Sequence, residues 1–260
     1  MSLLQVKNLT AKNLTLAQGG RTLIRDLNFT VQAGEAWIVL GENGCGKSTL
    51  LSSLAGWFAP ESGEVLLGET PISRVSPTLR AKSVAWQTQQ DECPFPLSVL
   101  EKVLTGRHPH LGRWQWESEV DIALAQQQLA RLDLHDFAAR DLASLSGGER
   151  RRVSLATALT QQAPLMLLDE PLSQLDLRHQ QQALQVLREE QALGRSIVVV
   201  SHDPNHAAQF ATHALLLFGD GQWQAGVLAD VLNADYLSRL YHHPVSKIDQ
   251  DGKSWFVPAG

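Results

Sequence analysis

Gly41-Glu-Asn-Gly-Cys-Gly-Lys-Ser-Thr49 decides the fold, because it fits the pattern G-x-x-x-x-G-K-[ST] of a phosphate-cradling loop. The apolar segment Trp37–Leu40 runs into it and predicts a strand, and Lys47–Leu54 has the composition of a short helix. Glycines let backbone N–H groups approach phosphate oxygens, and the start of the helix adds a partial positive charge. The sequence therefore predicts a nucleotide-phosphate site formed by Gly41, Glu42, Asn43, Gly44, Cys45, Gly46, Lys47, Ser48 and Thr49.

A second segment, Leu165-Met-Leu-Leu-Asp-Glu170, supplies carboxylates at the end of an apolar strand. Parallel sheets place their ligands at the carboxyl ends of strands. We expect Asp169 and the Ser48 hydroxyl to hold Mg²⁺, Lys47 to contact the β- and γ-phosphates, and Glu170 to polarise the attacking water. A strand that ends in Asp-Glu is also typical of an ordinary surface turn, so its meaning depends on the preceding loop.

The order of predicted elements favours an α/β fold with a mostly parallel sheet, since strands alternate with helices in the last third of the chain. Predicted strands are Leu3–Leu9, Phe29–Val31, Ala36–Leu40, Gly63–Gly68, Val84–Trp86, Leu165–Asp169 and Ile197–Ser201. Predicted helices are Lys47–Leu54, the periodic stretch within Glu117–Asp133, Arg178–Leu193 and Pro204–Phe210. The middle of the chain is helical and interrupts one α/β domain.

Composition excludes several classes of protein. The 260 residues are 43% apolar and 19% charged, as in an ordinary soluble globule. A net charge of −5 argues against nonspecific nucleic-acid binding, and two cysteines cannot form a disulfide framework. The longest apolar runs are much shorter than a membrane span, and MSLLQVKNLT lacks the pattern of a signal peptide. We therefore expect a cytosolic protein.

Leu145-Ser-Gly-Gly-Glu-Arg150 indicates the family. Ser146 and Glu149 have the spacing of a capping box, and the glycines expose the backbone at the start of a helix. The segment is also compatible with a plain helix cap without a ligand. Together with the two segments above, it resembles the signature of ATP-binding-cassette (ABC) ATPases, over nearly the whole chain.

This resemblance implies one ABC ATPase domain over residues 1–260. It has a P-loop NTPase core, an N-terminal antiparallel β-subdomain and an inserted helical subdomain over residues 90–160. It also implies ATP hydrolysis with Mg²⁺, and a homodimer in which Ser146, Gly147 and Gly148 of one subunit close over the nucleotide of the other. Gln89 matches the Q-loop glutamine that contacts Mg²⁺ and the attacking water, although Gln87 and Gln90 are close by. Asp176 matches the D-loop and His202 the switch histidine at the γ-phosphate.

Two residues depart from expectation. Where the family usually stacks adenine on an aromatic ring, this chain has Gln18, which leaves the preference for ATP over GTP open. Cys45 lies within the phosphate loop, and we expect its thiol to be accessible to oxidation or alkylation when no nucleotide is bound.

Within the family, several segments resemble ATPases of metal-chelate importers for iron-siderophores, haem or cobalamin: Pro94-Phe-Pro96, Thr105–His110, and in the ending Gly226–Leu232, Tyr236–Tyr241 and Pro244-Val245. The resemblance implies a peripheral location on the cytoplasmic face of the inner membrane and integral-membrane permease subunits as partners. A substrate-binding protein would act indirectly, and no nucleic acid is involved. Residues from Gln89 to Trp116 would form the permease socket, with Trp114 and Trp116 either as interface anchors or packed in the core.

Other classes of protein remain open at this point. One is an ABC transporter ATPase for another cargo, and another is an ABC ATPase that acts on ribosomes or DNA, although tandem cassettes and long coiled-coil insertions are not visible. A small-molecule kinase or GTPase outside the family is a further class, but the guanine-reading motif Asn-Lys-x-Asp is absent.

Overall fold

The computed structural model describes residues 8–89, 95–250 and 253–260. Residues 3–7 of the first predicted strand, Gln90 and Pro94 lie outside these ranges. The strands are β1 Asn8–Gln18, β2 Arg21–Gln32, β3 Ala36–Gly41, β4 Ser62–Leu67, β5 Thr70–Pro71, β6 Val84–Gln87, β7 Leu165–Asp169, β8 Ser196–Val200, β9 His213–Leu217, β10 Trp223–Val227, β11 Val245–Gln250 and β12 Lys253–Pro258. The α-helices are α1 Lys47–Leu54, α2 Pro77–Ser83, α3 Val99–Leu104, α4 Glu119–Arg131, α5 Gly147–Thr160, α6 Leu177–Ala192, α7 Pro204–Phe210, α8 Leu228–Val231 and α9 Ala234–Leu240.

A six-stranded sheet forms the centre of the molecule, in the order β10-β9-β3-β8-β7-β6. The five strands from β9 to β6 run parallel, and β10 pairs with β9 in the antiparallel direction. The predicted α/β fold with a mostly parallel sheet is therefore confirmed. Because the parallel strands share one direction, the residues that follow β3, β7 and β8 meet at the same edge.

Both faces of this sheet are covered, which explains why its strands are apolar throughout. Ile38 and Leu40 of β3 face a cluster formed with α5, α6 and α7. Trp37 and Val39 of the same strand face α1 and the second sheet. Alternate residues of one strand thus enter two separate cores, since successive side chains in a strand point to opposite faces.

The N-terminal sheet is antiparallel in the order β2-β1-β4-β5. Strand β2 covers twelve residues, so the predicted strand Phe29–Val31, which lies within it, is too short. The reason is local: Asn13 and Asp26 adopt a φ of 48°, and the β1–β2 register shifts between Ala11 and Leu14. Such bulges break the alternation of apolar and polar residues by which a strand is recognised in a sequence.

The middle of the chain carries helices, and those described between Val99 and Thr160 include α3, α4 and α5. They pack on one another through buried side chains such as Val103, Leu129 and Leu155. The chain ends in a β11–β12 hairpin, which contacts α7 and α9. These C-terminal elements place residues beside the edge of the central sheet where the site lies.

Candidate nucleotide site

The phosphate loop connects β3 to α1 as the sequence predicts. Gly46 precedes the helix at a φ of 106°, a conformation that favours glycine, and a Cβ there would lie 3.0 Å from that of Leu23. At Gly41 a Cβ would lie 2.7 Å from the carbonyl oxygen of Leu217, on the neighbouring strand. Close packing therefore requires glycine at both ends of the loop.

The Lys47 side chain is folded beneath this loop and is only 6% exposed. Its ammonium donates to the carbonyl oxygens of Gly41 at 2.7 Å and Glu42 at 2.9 Å. These bonds hold a positive charge inside the loop, at the start of α1, where the helix dipole has the same sign. The arrangement suits a bound polyphosphate.

Cys45 corrects one expectation. Its side chain is only 3% exposed and lies beneath the loop, where a Cβ at Gly41 would lie 2.5 Å from its sulfur. Burial raises the pKa of the thiol, even though the positive charge of Lys47 acts in the opposite direction. The expectation of an accessible, reactive thiol is wrong, because the loop turns this side chain inward.

Asp169 ends β7 beside the phosphate loop, with a side chain 3% exposed. Burial raises the pKa of its carboxyl group, and a hydrogen bond from Ser48 acts in the opposite direction. Its Oδ1 atom is buried without a hydrogen-bond partner among the described residues. A buried, unsatisfied carboxylate oxygen beside a hydroxyl fits Mg²⁺, which prefers oxygen ligands.

Glu170 and His202 are 32 residues apart in sequence but meet in the structure. Nε2 of His202 contacts Oε1 of Glu170, and the Glu170 amide donates to the carbonyl of Val200 at 3.1 Å. Glu170 follows the carboxyl end of β7, and His202 lies just beyond the carboxyl end of β8. The two side chains meet because β7 and β8 are parallel neighbours in the sheet. Glu170 has a φ of 51°, so the backbone leaves the strand sharply at this residue.

The loop after β6 holds Gln89, whose side chain is exposed. Its backbone is bound by Arg151 of α5, a residue that the sequence analysis missed. The guanidinium donates to the carbonyls of Gln89 at 2.7 Å and Thr88 at 3.1 Å, and reaches that of Asp169 at 3.5 Å. Three consecutive arginines in an otherwise amphipathic helix are the signal that could have revealed it, because they cannot all face solvent.

The signature segment begins α5 with the predicted capping box. The Ser146 hydroxyl accepts from the Glu149 amide at 3.3 Å, and the Ser146 amide donates to the Glu149 carboxylate at 2.7 Å. The Ser146 hydroxyl also donates to the Glu149 carboxylate at 2.7 Å, and this bond, together with that from the Ser146 amide, lowers the pKa of Glu149. Ser146 and Gly147 are exposed and Gly148 is half-buried, so the backbone at this helix start is accessible.

The two signature glycines contact the loop after β7 of the same chain. A Cβ at Gly147 would lie 2.2 Å from Oε1 of Gln174, and one at Gly148 would lie 2.7 Å from the Gln174 carbonyl oxygen. Asp176 follows in this loop and caps α6 by accepting from the His179 amide at 2.9 Å. The segment Ser173–Asp176 therefore lies directly against the start of α5.

Gln18 ends β1 near the phosphate-loop helix, with its Oε1 atom 3.4 Å from the Thr49 hydroxyl. The structure thus brings together the phosphate loop, Gln18, Asp169, Glu170 and His202. The contacts of the signature glycines are with Gln174 instead.

Within the described ranges, every helix is too short or too polar to cross a membrane.

Comparison with known proteins agrees with this geometry. A family model described as "ABC transporter" matches residues 24–173. The hemin import ATP-binding protein HmuV of Thermobifida fusca is 39% identical over 242 residues, covering 91% of this chain and 83% of that protein. The iron(3+)-hydroxamate import ATP-binding protein FhuC of Bacillus subtilis is 35% identical over 237 residues, covering 91% and 88%.

Solved structures give the same result. A metal-chelate type ABC transporter in an inward-facing conformation matches with a TM-score of 0.83 and 32% identity, over 98% of each chain. A dimeric post-hydrolysis structure of the ATP-binding cassette MJ0796, bound to ADP and Pi, matches with a TM-score of 0.75 and 26% identity, over 85% of this chain and 98% of that one. The chain therefore belongs to the ABC transporter family and is an ATPase of that family.

Proposed function

We propose that this ATPase powers the import of a metal chelate, such as haem, a ferric siderophore or cobalamin, through separate permease subunits in the membrane. The observation that carries the ATP chemistry is the meeting of Lys47, Asp169, Glu170 and His202 at one edge of the sheet. The cargo class rests on the similarity to hemin and hydroxamate import proteins and to a metal-chelate transporter. The protein would be peripheral, on the cytoplasmic face of the inner membrane.

Asp169, Ser48 and Gln89 are the proposed holders of Mg²⁺. The unsatisfied Oδ1 of Asp169 and the neighbouring Ser48 hydroxyl support the first two. Bound Mg²⁺ supplies positive charge to the phosphate oxygens. Gln89 is exposed on a loop whose backbone Arg151 fixes, so its side chain can approach from the helical part of the chain.

Glu170 is the proposed general base for the attacking water, and His202 the proposed contact to the γ-phosphate. Their mutual contact supports both roles, because each group then orients the other. A carboxylate that accepts from an imidazole keeps its second oxygen available for water. Lys47 holds the β- and γ-phosphates by charge, and the remaining residues of Gly41–Thr49 contribute backbone N–H groups.

The subunit is proposed to act as a homodimer, with Ser146, Gly147 and Gly148 of one copy facing the nucleotide of the other. Within one chain, the described hydrogen bonds do not connect the accessible start of α5 to the phosphate loop of the same chain. The dimeric structure of the similar cassette MJ0796 supports this assembly. Asp176, beside the signature segment, would lie along the interface. Nucleotide that contacts both copies stabilises the closed dimer, and hydrolysis releases it.

A permease helix is proposed to dock beside the loop that follows β6. A cavity of about 100 Å³ there is lined by residues of β6, α3 and α5, including Gln87 and Gln161. Gln87 is 2% exposed, and neither atom of its amide has a hydrogen-bond partner among the described residues. Trp114 and Trp116 are 89% and 88% exposed, which excludes core packing and favours a role as interface anchors.

Affinity capture from detergent-solubilised membranes of the native host tests the transport function. We expect a polytopic permease to be recovered by mass spectrometry, and its reconstituted complex to hydrolyse ATP faster with a chelate-loaded binding protein. Replacing Trp114 and Trp116 by alanine should reduce recovery of the permease, whereas Leu193→Ala, at an exposed apolar side chain after α6, serves as the control. Recovery of soluble partners alone would contradict the transport function and leave the ATPase activity intact.

A further inference from the structure

The C-terminal elements hold a segment that we call the switch loop, from His202 to Asn205 in the first turn of α7, at both of its ends. The hydroxyl of Tyr241, at the end of α9, donates to the backbone carbonyl of His202 at 3.0 Å. Three residues further on, the Asn205 side chain exchanges two hydrogen bonds with the backbone of Phe256 in β12, at 2.8 and 3.0 Å. The path of the loop is therefore fixed by parts of the chain far away in sequence.

Tyr241 lies between the switch loop and the phosphate loop. Burial raises the pKa of its phenol, and the negative charges of Asp203 and Glu42 act in the same direction. The hydroxyl consequently stays protonated and acts as a donor. The next residue, His242, places its Nε2 atom 3.7 Å from a carboxylate oxygen of Glu42. One end of α9 thus touches the segments that follow β3 and β8.

We propose that Tyr241 is a positioning residue for ATP hydrolysis, which acts by holding the backbone of His202 so that the imidazole meets Glu170. The inference rests on the proposed role of His202. A carbonyl held at 3.0 Å fixes the backbone from which the imidazole extends. Without that bond the segment is still held at Asp203, whose amide donates to the Ser201 hydroxyl at 3.1 Å, and at Asn205. The His202 carbonyl itself is released, and the imidazole samples positions away from Glu170.

The test is Tyr241→Phe, which removes the hydroxyl and keeps the ring. The matched control is Tyr236→Phe on the same helix, where the ring packs against Phe218 with centroids 6.5 Å apart. We expect kcat for ATP hydrolysis to fall about fivefold to tenfold in Tyr241→Phe, the effect of about one neutral hydrogen bond. KM for ATP and the melting temperature should stay close to those of the control.

A double-mutant cycle with His202→Ala identifies the route of the effect. If Tyr241 acts through His202, Tyr241→Phe causes no further loss in the His202→Ala background, measured by single-turnover release of labelled phosphate. An unchanged kcat in Tyr241→Phe, or an equal loss in both backgrounds, would overturn the proposal. Full activity of His202→Ala alone would instead refute the role of His202, so the two failures are distinguishable.

Discussion

Nη2 of Arg151 donates to the backbone carbonyl of Gln89 at 2.7 Å. This bond connects α5, which starts at the signature segment, to the loop after β6, which carries the proposed Mg²⁺ contact. The same guanidinium reaches the carbonyls of Thr88 and Asp169. Arg151 is 8% exposed, so its guanidinium is largely withdrawn from bulk water. Arg151 therefore ties the backbone of Gln89 to α5.

Arg151→Lys should lower both stability and activity. An ammonium cannot span the three carbonyls that the planar guanidinium reaches, and each buried carbonyl left unpaired costs about 1–3 kcal/mol. We expect the melting temperature to fall by roughly 2–6 °C and kcat by about tenfold. Arg150→Lys is the control, because Arg150 is exposed and donates to the Leu145 carbonyl instead. Equal effects at both positions would contradict the connection to Gln89.

Glu170→Gln should bind ATP and lose hydrolysis. The amide keeps the shape of the side chain and removes its capacity as a base, for which a loss of about 10²–10⁴-fold in kcat is expected. ATP-bound dimers should then accumulate and elute earlier in size-exclusion chromatography. Glu69→Gln, at an exposed position between β4 and β5, is the matched control. Rapid phosphate release by Glu170→Gln would eliminate Glu170 as the base.

Asp169→Asn should stabilise the nucleotide-free protein at pH 7 and abolish Mg²⁺-dependent hydrolysis. Because burial raises the pKa of Asp169, the native state binds this proton more tightly than the unfolded state, and the ionised form destabilises the fold. The gain in the free energy of unfolding from asparagine is complete above the native pKa of Asp169. It vanishes as the pH falls below 3.8, the ordinary pKa of an aspartate. Thermal melting across this range measures it.

Addition of Mg²⁺ and ATP should reverse that order of stability. The wild-type carboxylate then has a cation to bind, and the ligand stabilises only the state that binds it. A variant that melts lower than wild type without nucleotide would contradict the cost assigned to the buried charge. A variant that gains the same stabilisation from Mg²⁺ and ATP as wild type would contradict Asp169 as a ligand.

Cys45 should react slowly with alkylating reagents. Its thiol is buried and its pKa is raised, so the thiolate that attacks the reagent is scarce at neutral pH. In a Cys93→Ser background, which leaves Cys45 as the one cysteine, we expect N-ethylmaleimide to react at least about tenfold more slowly than with a free thiol. Denaturation should restore the ordinary rate. Fast labelling of the folded protein would contradict the burial.

The sequence predicts the elements next to the nucleotide well because each combines a strong local pattern with a motif. The predicted helix Lys47–Leu54 and the strand Leu165–Asp169 have the observed limits. In β2 the prediction covers only three of twelve residues, since the bulge at Asp26 breaks the alternation. The last hairpin escaped detection for another reason: β11 is largely exposed and buries no regular face.

Residues that act through backbone contacts are hidden from such a prediction. Arg151 and Tyr241 bind carbonyl oxygens, which every residue possesses, so their partners leave no trace in the sequence. The sequence could place His202 and Glu170 near the ends of strands, whereas their contact depends on the order of β7 and β8 in the sheet. Tertiary topology supplies that information.

The packing of Gly147 and Gly148 against Gln174 has a consequence for genetics. A side chain introduced at Gly148 meets the backbone of a loop of its own chain, whereas one at Gly147 meets only the movable end of the Gln174 side chain. In the proposed dimer, a substitution at Gly148 would disturb the loop of its own copy and also the signature surface that is proposed to face the nucleotide of the other copy. Part of the defect would therefore reach the normal copy, and the mutation is expected to behave as partly dominant when both copies are expressed together.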